Sequence, residues 1–220
     1  VDVPVRSGRT AGIAWSEDGQ LQFGALEVPD AGGDDIEAAA AQAYARLQDW
    51  LAASDYQHPL RLWNYLDAIT AGDGDDERYR RFCVGRAQGI GRALAPAELP
   101  AATAIGHPEP TGRLQLYWLA AKTPGTPLEN PRQVQAWRYP RQYGPQAPGF
   151  ARALLPATEA MPLLVSGTAA VVGHASLHGD SLEAQFGEIL ANLGSLVDAA
   201  RAVRAGLPDR PGTSTRLKVY

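Results

Sequence analysis

The sequence predicts an α+β protein of two successive units, each a mixed β-sheet with helices packed on one face, the second unit incomplete. Three observations predict it. Strand patterns of period two alternate with long amphipathic helical stretches. The outline of several strands, a helix of about 20 residues and a strand opening on Arg-Leu occurs twice, at Arg61-Leu62 and at Arg216-Leu217. The composition, 45% hydrophobic and 20% charged, is that of a globular chain. A sheet with helices on one face buries the apolar side of such units.

The elements follow in order. Arg9 to Ser16 reads as one strand, Glu17-Asp18-Gly19 as a turn, and Gln20 to Val28 as the returning strand, because Asp-Gly between such runs signals a hairpin. Asp34 to Ala53 reads as a helix with Ile36, Ala40, Ala43, Leu47, Trp50 and Leu51 on one stripe. Arg61 to Leu66 is a strand. Asp76 to Leu94 is a second helix, opened by acidic residues that suit its N-terminus. Ala101 to Ile105 and Gly112 to Ala121 are strands, the latter alternating Leu114, Leu116, Trp118 and Ala120 with Gln115 and Tyr117.

The second unit begins near residue 126. Gln133 to Tyr139 reads as a strand, Pro140 to Gly149 as a restricted Pro/Gly loop, and Phe150 to Leu155 and Pro162 to Gly173 as strands. Asp180 to Ala205 is a helix with Asp180 and Glu183 as a capping box. Its expected buried stripe is Leu182, Phe186, Ile189, Leu193, Val197, Ala200 and Val203. Arg216 to Tyr220 reads as a last strand. The chain opens in Val1–Val5 and closes on a strand pattern with no turn after it, so both ends read as cut. The second unit then falls short of the first by about 50 residues.

Twenty Lys and Arg against 24 Asp and Glu give a net charge of -4, which argues against a nucleic-acid partner. One cysteine excludes an internal disulfide framework and a Cys-based structural zinc site, and fits a reducing, cytoplasmic compartment. No stretch reads as a membrane span: Ala160 to Gly179 lacks formal charge but is broken by Pro162, Ser166, Thr168, His174 and glycines. There is no P-loop, nucleophile elbow or dinucleotide fingerprint. Gly85 to Gly91 is glycine-bearing but lies within a helical pattern. His174 and His178 are spaced i, i+4 across a strand end and a turn, so no metal site is expected.

Two arginines stand out. Tyr79, Phe82, Cys83, Arg86 and Ile90 share one helix face. An arginine in an apolar, aromatic stripe must find an anion or several carbonyl acceptors. It is either a structural salt bridge or a clamp for a carboxylate or phosphate, with Tyr79 beside it. Cys83 on that face reads as packing. Phe150, Arg152 and Leu154 share a strand face, just downstream of Tyr139 and the Pro/Gly loop. Ser166-Gly167-Thr168-Ala169 places small residues within a strand, for tight packing or for binding an oxyanion.

Four segments in order, RLWNYLDAI, ERYRRFCVGRAQG, QAWRYPRQYGPQAPGFARA and LLVSGTAAVVGH, resemble the chorismatase family, most of all its 3-hydroxybenzoate synthase type, and the likeness covers nearly the whole chain. The resemblance implies two Rid/YjgF-like domains, residues 1–125 and 126–220. It implies a lyase that cleaves chorismate to pyruvate and 3-hydroxybenzoate, 4-hydroxybenzoate or both, without metal or organic cofactor, in the supply of pigment or ubiquinone synthesis. A monomer or Rid-like trimer is expected, with no nucleic-acid or membrane partner. Chorismate carries two carboxylates, and bidentate guanidinium pairing suits each. The resemblance therefore implies that Arg86 with Tyr79, and Arg152 with Tyr139, bind substrate. Asn64, Arg141, Tyr143 and the Ser166–Thr168 backbone are second candidates. The resemblance implies that the general acid that protonates the enolpyruvyl methylene is a glutamate near the family's C-terminus, beyond Tyr220; Glu183 and Glu188 read as helix-surface residues and are not assigned that role. The 220 residues alone are then expected to bind substrate without turning it over. A Rid-type imine deaminase, with one arginine for a single carboxylate, and a non-catalytic aromatic-acid-binding domain are the alternatives.

Overall fold

The computed structural model describes residues 4–30, 35–210, 212–213 and 215–220. Strands β1 (Arg6–Thr10) and β2 (Ile13–Glu17) pair antiparallel with Thr10 opposite Ile13. The single strand expected over Arg9–Ser16 is therefore a hairpin. Ala11 and Gly12 both adopt positive φ, 49° and 77°, as a two-residue turn requires. The alanine there hid the turn signal. β3 (Leu21–Pro29) follows the predicted Asp-Gly turn, where the Asp18 carboxylate accepts from the Gln20 and Leu21 amides at 2.8 and 2.7 Å. Those bonds hold its carboxyl below the usual range.

Helix α1 (Ile36–Ala52) is capped by Asp35, whose side chain accepts from the Ala38 amide at 3.2 Å. Asp34, the expected first helical residue, lies outside the described residues. β4 (His58–Asp67), α2 (Arg78–Ile90), β5 (Ala101–His107) and β6 (Arg113–Ala121) complete a six-stranded sheet of order β1-β2-β3-β6-β4-β5. β4 and β5 pair parallel, joined by α2, and the remaining neighbours are antiparallel. α2 is shorter than the expected Asp76–Leu94. Gly91 stops it at φ 73° as a left-handed cap, and Glu77 precedes it in extended geometry.

Both helices lie on one face of the sheet. Ile36, Ala40, Ala43, Tyr44, Leu47 and Leu51 of α1 and Phe82 and Cys83 of α2 pack on Leu62, Leu66, Leu114, Leu116 and Trp118. The helices approach closely because Gly85 and Gly89 of α2 face the α1 backbone. Phe23, Trp63, Tyr65 and Tyr117 form an aromatic patch on the opposite face. The Arg216–Tyr220 segment is not a strand. It lies across that patch, with the Tyr220 hydroxyl 2.7 Å from that of Tyr65 and the Lys218 ammonium 5.2 Å from the Tyr65 ring centre. No helix among the described residues is long and apolar enough to cross a membrane.

From residue 126 the strands are short. β7 (Thr126–Leu128), β8 (Ala153–Leu155) and β9 (Leu164–Val165) form a three-stranded sheet, and β10 (Val171–Val172) pairs with β11 (Ala175–Ser176). The strand expected over Gln133–Tyr139 is instead a 3₁₀ turn at Ala136–Arg138, between Pro131 and Pro140. Phe150–Leu155 is strand only from Ala153, with a single bridge at Ala151. Pro162–Gly173 breaks at Ser166–Ala170, which leaves the sheet to tie the two parts of the chain together. Ser166 Oγ accepts from the Ala102 amide at 2.9 Å and donates to the Ala151 carbonyl at 2.5 Å. The Gly167 amide donates to the Ala102 carbonyl at 3.1 Å, and the Ala151 amide to the Pro100 carbonyl at 3.0 Å. Ser166 and Gly167 thus stitch residues 151–167 to the edge of β5 and form no oxyanion hole.

α3 (Leu182–Val203) is capped by Ser181, not Asp180. Its buried face is also rotated from the expected one. Asn192, Leu196 and Ala200 are buried, whereas Leu182 and Phe186 are 84% and 55% exposed. A polar anchor sets the rotation: Asn192 Nδ2 donates to the Ala169 and Val171 carbonyls, and the Asn192 carbonyl accepts from Asn130. Apolar periodicity cannot report an asparagine at the centre of the buried face. Glu188 is likewise no surface residue, being turned inward and ion-paired with Arg132.

Candidate active site

α2 carries Tyr79 and Arg86 each about one turn from Cys83, two turns apart from each other, on the face toward α1 and the chain beyond residue 126. Arg86 is 5% exposed. Its Nη2 donates to the Gly149 carbonyl at 2.6 Å, and its guanidinium lies 5.1 Å from the centre of the Tyr44 ring. Arg152 is 7% exposed. Its Nη2 donates to the Val134 carbonyl and the Tyr139 hydroxyl, each at 2.8 Å, between the rings of Tyr139 and Phe150 at 5.4 Å. Neither arginine has a carboxylate ion-pair partner among the described residues, and Nε of each is buried with no hydrogen-bond partner. A guanidinium offers five N–H donors. Two buried cations therefore keep donors for an anion from outside.

The four expected residues form one cluster. Tyr79 stacks on Phe82, sits beside Cys83, lies in the field of the Arg86 charge and neighbours Tyr139. Tyr139 bonds Arg152, and Phe150 beneath Arg152 directly follows the Gly149 held by Arg86. Tyr143 extends the cluster, packing on Tyr139 at 5.3 Å with its hydroxyl 3.0 Å from His174 Nδ1. A cavity of about 280 Å³ runs along Arg86 past Tyr44, Leu62, Leu99 and Pro100. Arg152, Tyr139 and Tyr79 do not line it, so it meets the cluster only at Arg86.

The second candidates divide differently. Asn64 is spent in the core, accepting from the Tyr44 hydroxyl at 2.9 Å and donating to the Thr103 carbonyl at 3.1 Å. Arg141 is exposed and bidentate on Asp75, fastening the Pro/Gly loop to the segment before α2. No group of three or more His, Cys, Asp or Glu among the described residues could hold a metal ion. Two further buried arginines are structural: Arg78 pairs with Asp30, and Arg61 bonds Thr103 and the Leu62 carbonyl. Burial pulls Arg61 down to about 10.

Sequence reasoning missed Glu129. It is half-buried beside Arg152 with Oε2 lacking a partner, and burial pushes its carboxyl up to about 7 against the opposing charge of Arg152. No local pattern in the sequence singles it out, since it follows Thr126-Pro127-Leu128 and gains meaning only when β7 is paired with β8. Burial also pushes the Cys83 thiol up to about 11, so it is not a nucleophile at neutral pH. Cys83 is expected to resist a disulfide reagent at pH 7.5 in the native state and to react within seconds in denaturant; a native-state rate like that of free cysteine would contradict its burial.

The family model described as Chorismatase FkbO/Hyg5-like, N-terminal, matches residues 1–120. This chain belongs to the chorismatase family. It is 36% identical over 227 residues to a chorismatase of Streptomyces rapamycinicus, covering 99% of this chain and 66% of that protein. It is 34% identical to a 3-hydroxybenzoate synthase of Streptomyces hygroscopicus, covering 100% of this chain and 66% of that protein. It thus spans about two thirds of the length of these curated relatives. A crystal structure of a chorismatase superposes with a TM-score of 0.80 at 34% identity, over 90% of this chain and 61% of the other. The fold of this chain is therefore a chorismatase fold over most of its length.

Proposed function

We propose that this chain is the chorismate-binding part of a chorismate-cleaving enzyme that releases pyruvate and 3-hydroxybenzoate, 4-hydroxybenzoate or both. The observation that carries the reading is the pair Arg86 and Arg152. Both are buried, neither is in an ion pair with a protein carboxylate among the described residues, although Glu129 lies beside Arg152, and the stretch 149–152 links them, with its Gly149 carbonyl held by Arg86 and Arg152 at its end. A buried guanidinium held in no ion pair is costly, and a doubly charged small acid relieves two at once. The imine-deaminase reading needs only one such clamp. In this reading Tyr79 and Tyr139 flank the carboxylates, and the Tyr44 and Phe150 rings give the arginines an apolar, water-poor setting.

Cleavage of the enol ether requires a proton on the enolpyruvyl methylene, which leaves an oxocarbenium-like carbon and weakens the carbon–oxygen bond. The clamp contributes by fixing the ether in one orientation. The reading includes a cytoplasmic enzyme, and two units that meet between Ala121, where β6 ends, and Thr126, where β7 begins.

Calorimetric titration with chorismate tests the reading. Arg86→Ala and Arg152→Ala are each expected to weaken binding about 100-fold, the worth of a charge-assisted pair. Wild-type affinity in both variants would remove the two-clamp assignment.

A further inference from the structure

Glu129 stands one step beyond the last residue of β7. Leu128 pairs with Ala153, so the antiparallel register sets Glu129 opposite Arg152. Oε2 of Glu129 and Nε of Arg152 are both sealed from solvent, and neither has a hydrogen-bond partner among the described residues. The two groups act on one another electrostatically, yet Arg152 directs its Nη2 elsewhere, to Val134 and Tyr139. The Glu129 carboxylate accepts from the Arg152 backbone amide and not from its guanidinium, so a buried carboxyl and a buried guanidinium lie together without an ion pair, each with an unpartnered atom that a third charged group would engage.

We propose that Glu129 is a positioning residue that couples anion capture at Arg152 to uptake of one proton: when a ligand carboxylate settles on Arg152, Glu129 takes a proton from solvent and remains beside the pair as a neutral carboxyl. The inference rests on Arg152 being a chorismate clamp. Two carboxylates sharing one guanidinium in a dry site cannot both stay ionised. Glu129 is the one poised to give way, because burial already holds it near neutrality, at about 7. The groups around it are few. Arg152, just before β8, is the charge that acts on it, Tyr139 lies across that guanidinium, and among the described residues His174 reaches the cluster through Tyr143. The carboxyls of chorismate titrate near 4, outside the window concerned.

The sign follows from linkage. The bound anion raises the Glu129 pKa further, so binding is strongest below about 7 and weakens as pH rises through the value in the complex. The full chain is titrated calorimetrically with chorismate at pH 6, 7 and 8, each in two buffers of different ionisation heat. Affinity is expected to fall about five- to tenfold from pH 6 to 8, with net proton uptake from the buffer at pH 7 to 8. Glu129→Gln is expected to lose the pH dependence and the proton uptake, and at pH 8 to bind at least as tightly as wild type. Binding by wild type that is independent of pH and buffer would overturn the proposal while leaving the clamp intact. So would a pH dependence that survives in Glu129→Gln, which would point to His174. No chorismate binding at any pH, or unchanged binding in Arg152→Ala, would overturn the clamp and the proposal with it. The buffer dependence of wild type decides the matter even if the variant does not fold.

Discussion

Asp30→Ala is expected to destabilise the protein by about 3–5 kcal/mol, the range for breaking a buried ion pair from one side. Asp30 is 1% and Arg78 8% exposed, and the two are paired. The pair gathers several elements. Asp30 directly follows β3 and accepts from the amide of Asp35, the residue that caps α1. Arg78 opens α2 and donates from Nε to the Asp67 carbonyl at the end of β4. The Asp67 carboxylate in turn accepts from the Thr111 and Gly112 amides before β6 at 2.7 and 2.6 Å. Removing Asp30 leaves the Arg78 charge buried at this junction with that carboxylate gone. Urea unfolding followed by far-ultraviolet circular dichroism measures the loss. The double variant Asp30→Leu/Arg78→Met should recover much of it, since an apolar pair removes the buried charge altogether. A single-variant loss under about 1 kcal/mol would show that the junction does not depend on the pair.

Gly85→Val is expected to cost about 3 kcal/mol or more, at the upper end of overpacking penalties. A Cβ at Gly85 would lie 2.0 Å from the Glu37 carbonyl oxygen, and one at Gly89 2.3 Å from that of Ala41. Both obstacles are backbone of α1, which cannot rotate aside. Two effects oppose each other in Gly85→Ala. Alanine favours the helix by about 1 kcal/mol over glycine, while separating two packed helices costs about 3 kcal/mol. The net loss is about 2 kcal/mol, and the sign of Gly85→Ala in urea unfolding is the discriminating result. A stabilised variant would mean that the helices are not held at this distance.

Residues up to 121 were largely legible in the sequence because their signals are local. α1 shows an unbroken apolar stripe, and β6 alternates strictly, since one face of its sheet is covered and the other is not. The hairpin at Ala11-Gly12 was missed because tight-turn geometry can be imposed on an alanine. Beyond residue 126 the structure is fixed by distant partners. Asn192 decides which face of α3 turns inward, and Ser166 ties its segment to Ala102, although both look like ordinary polar positions in the sequence. The site divides the same way. Arg86 and Arg152 were visible as charges among aromatics. Arg78 was not distinguishable from its neighbours Arg80 and Arg81 until Asp30 was placed, and Glu129 gained meaning only from strand register.

The stretch from Gly149 to Arg152 is grasped at its first carbonyl by Arg86, sutured at Ala151 to the end of the six-stranded sheet, and carries the second guanidinium on its last residue. Three peptide units therefore act as a fixed-gauge caliper: one jaw belongs to the helix, the other to the ruler itself. Under the two-clamp proposal such a device would sort diacids by length before any chemistry begins, favouring those whose charged ends match its span over shorter or longer ones of equal charge.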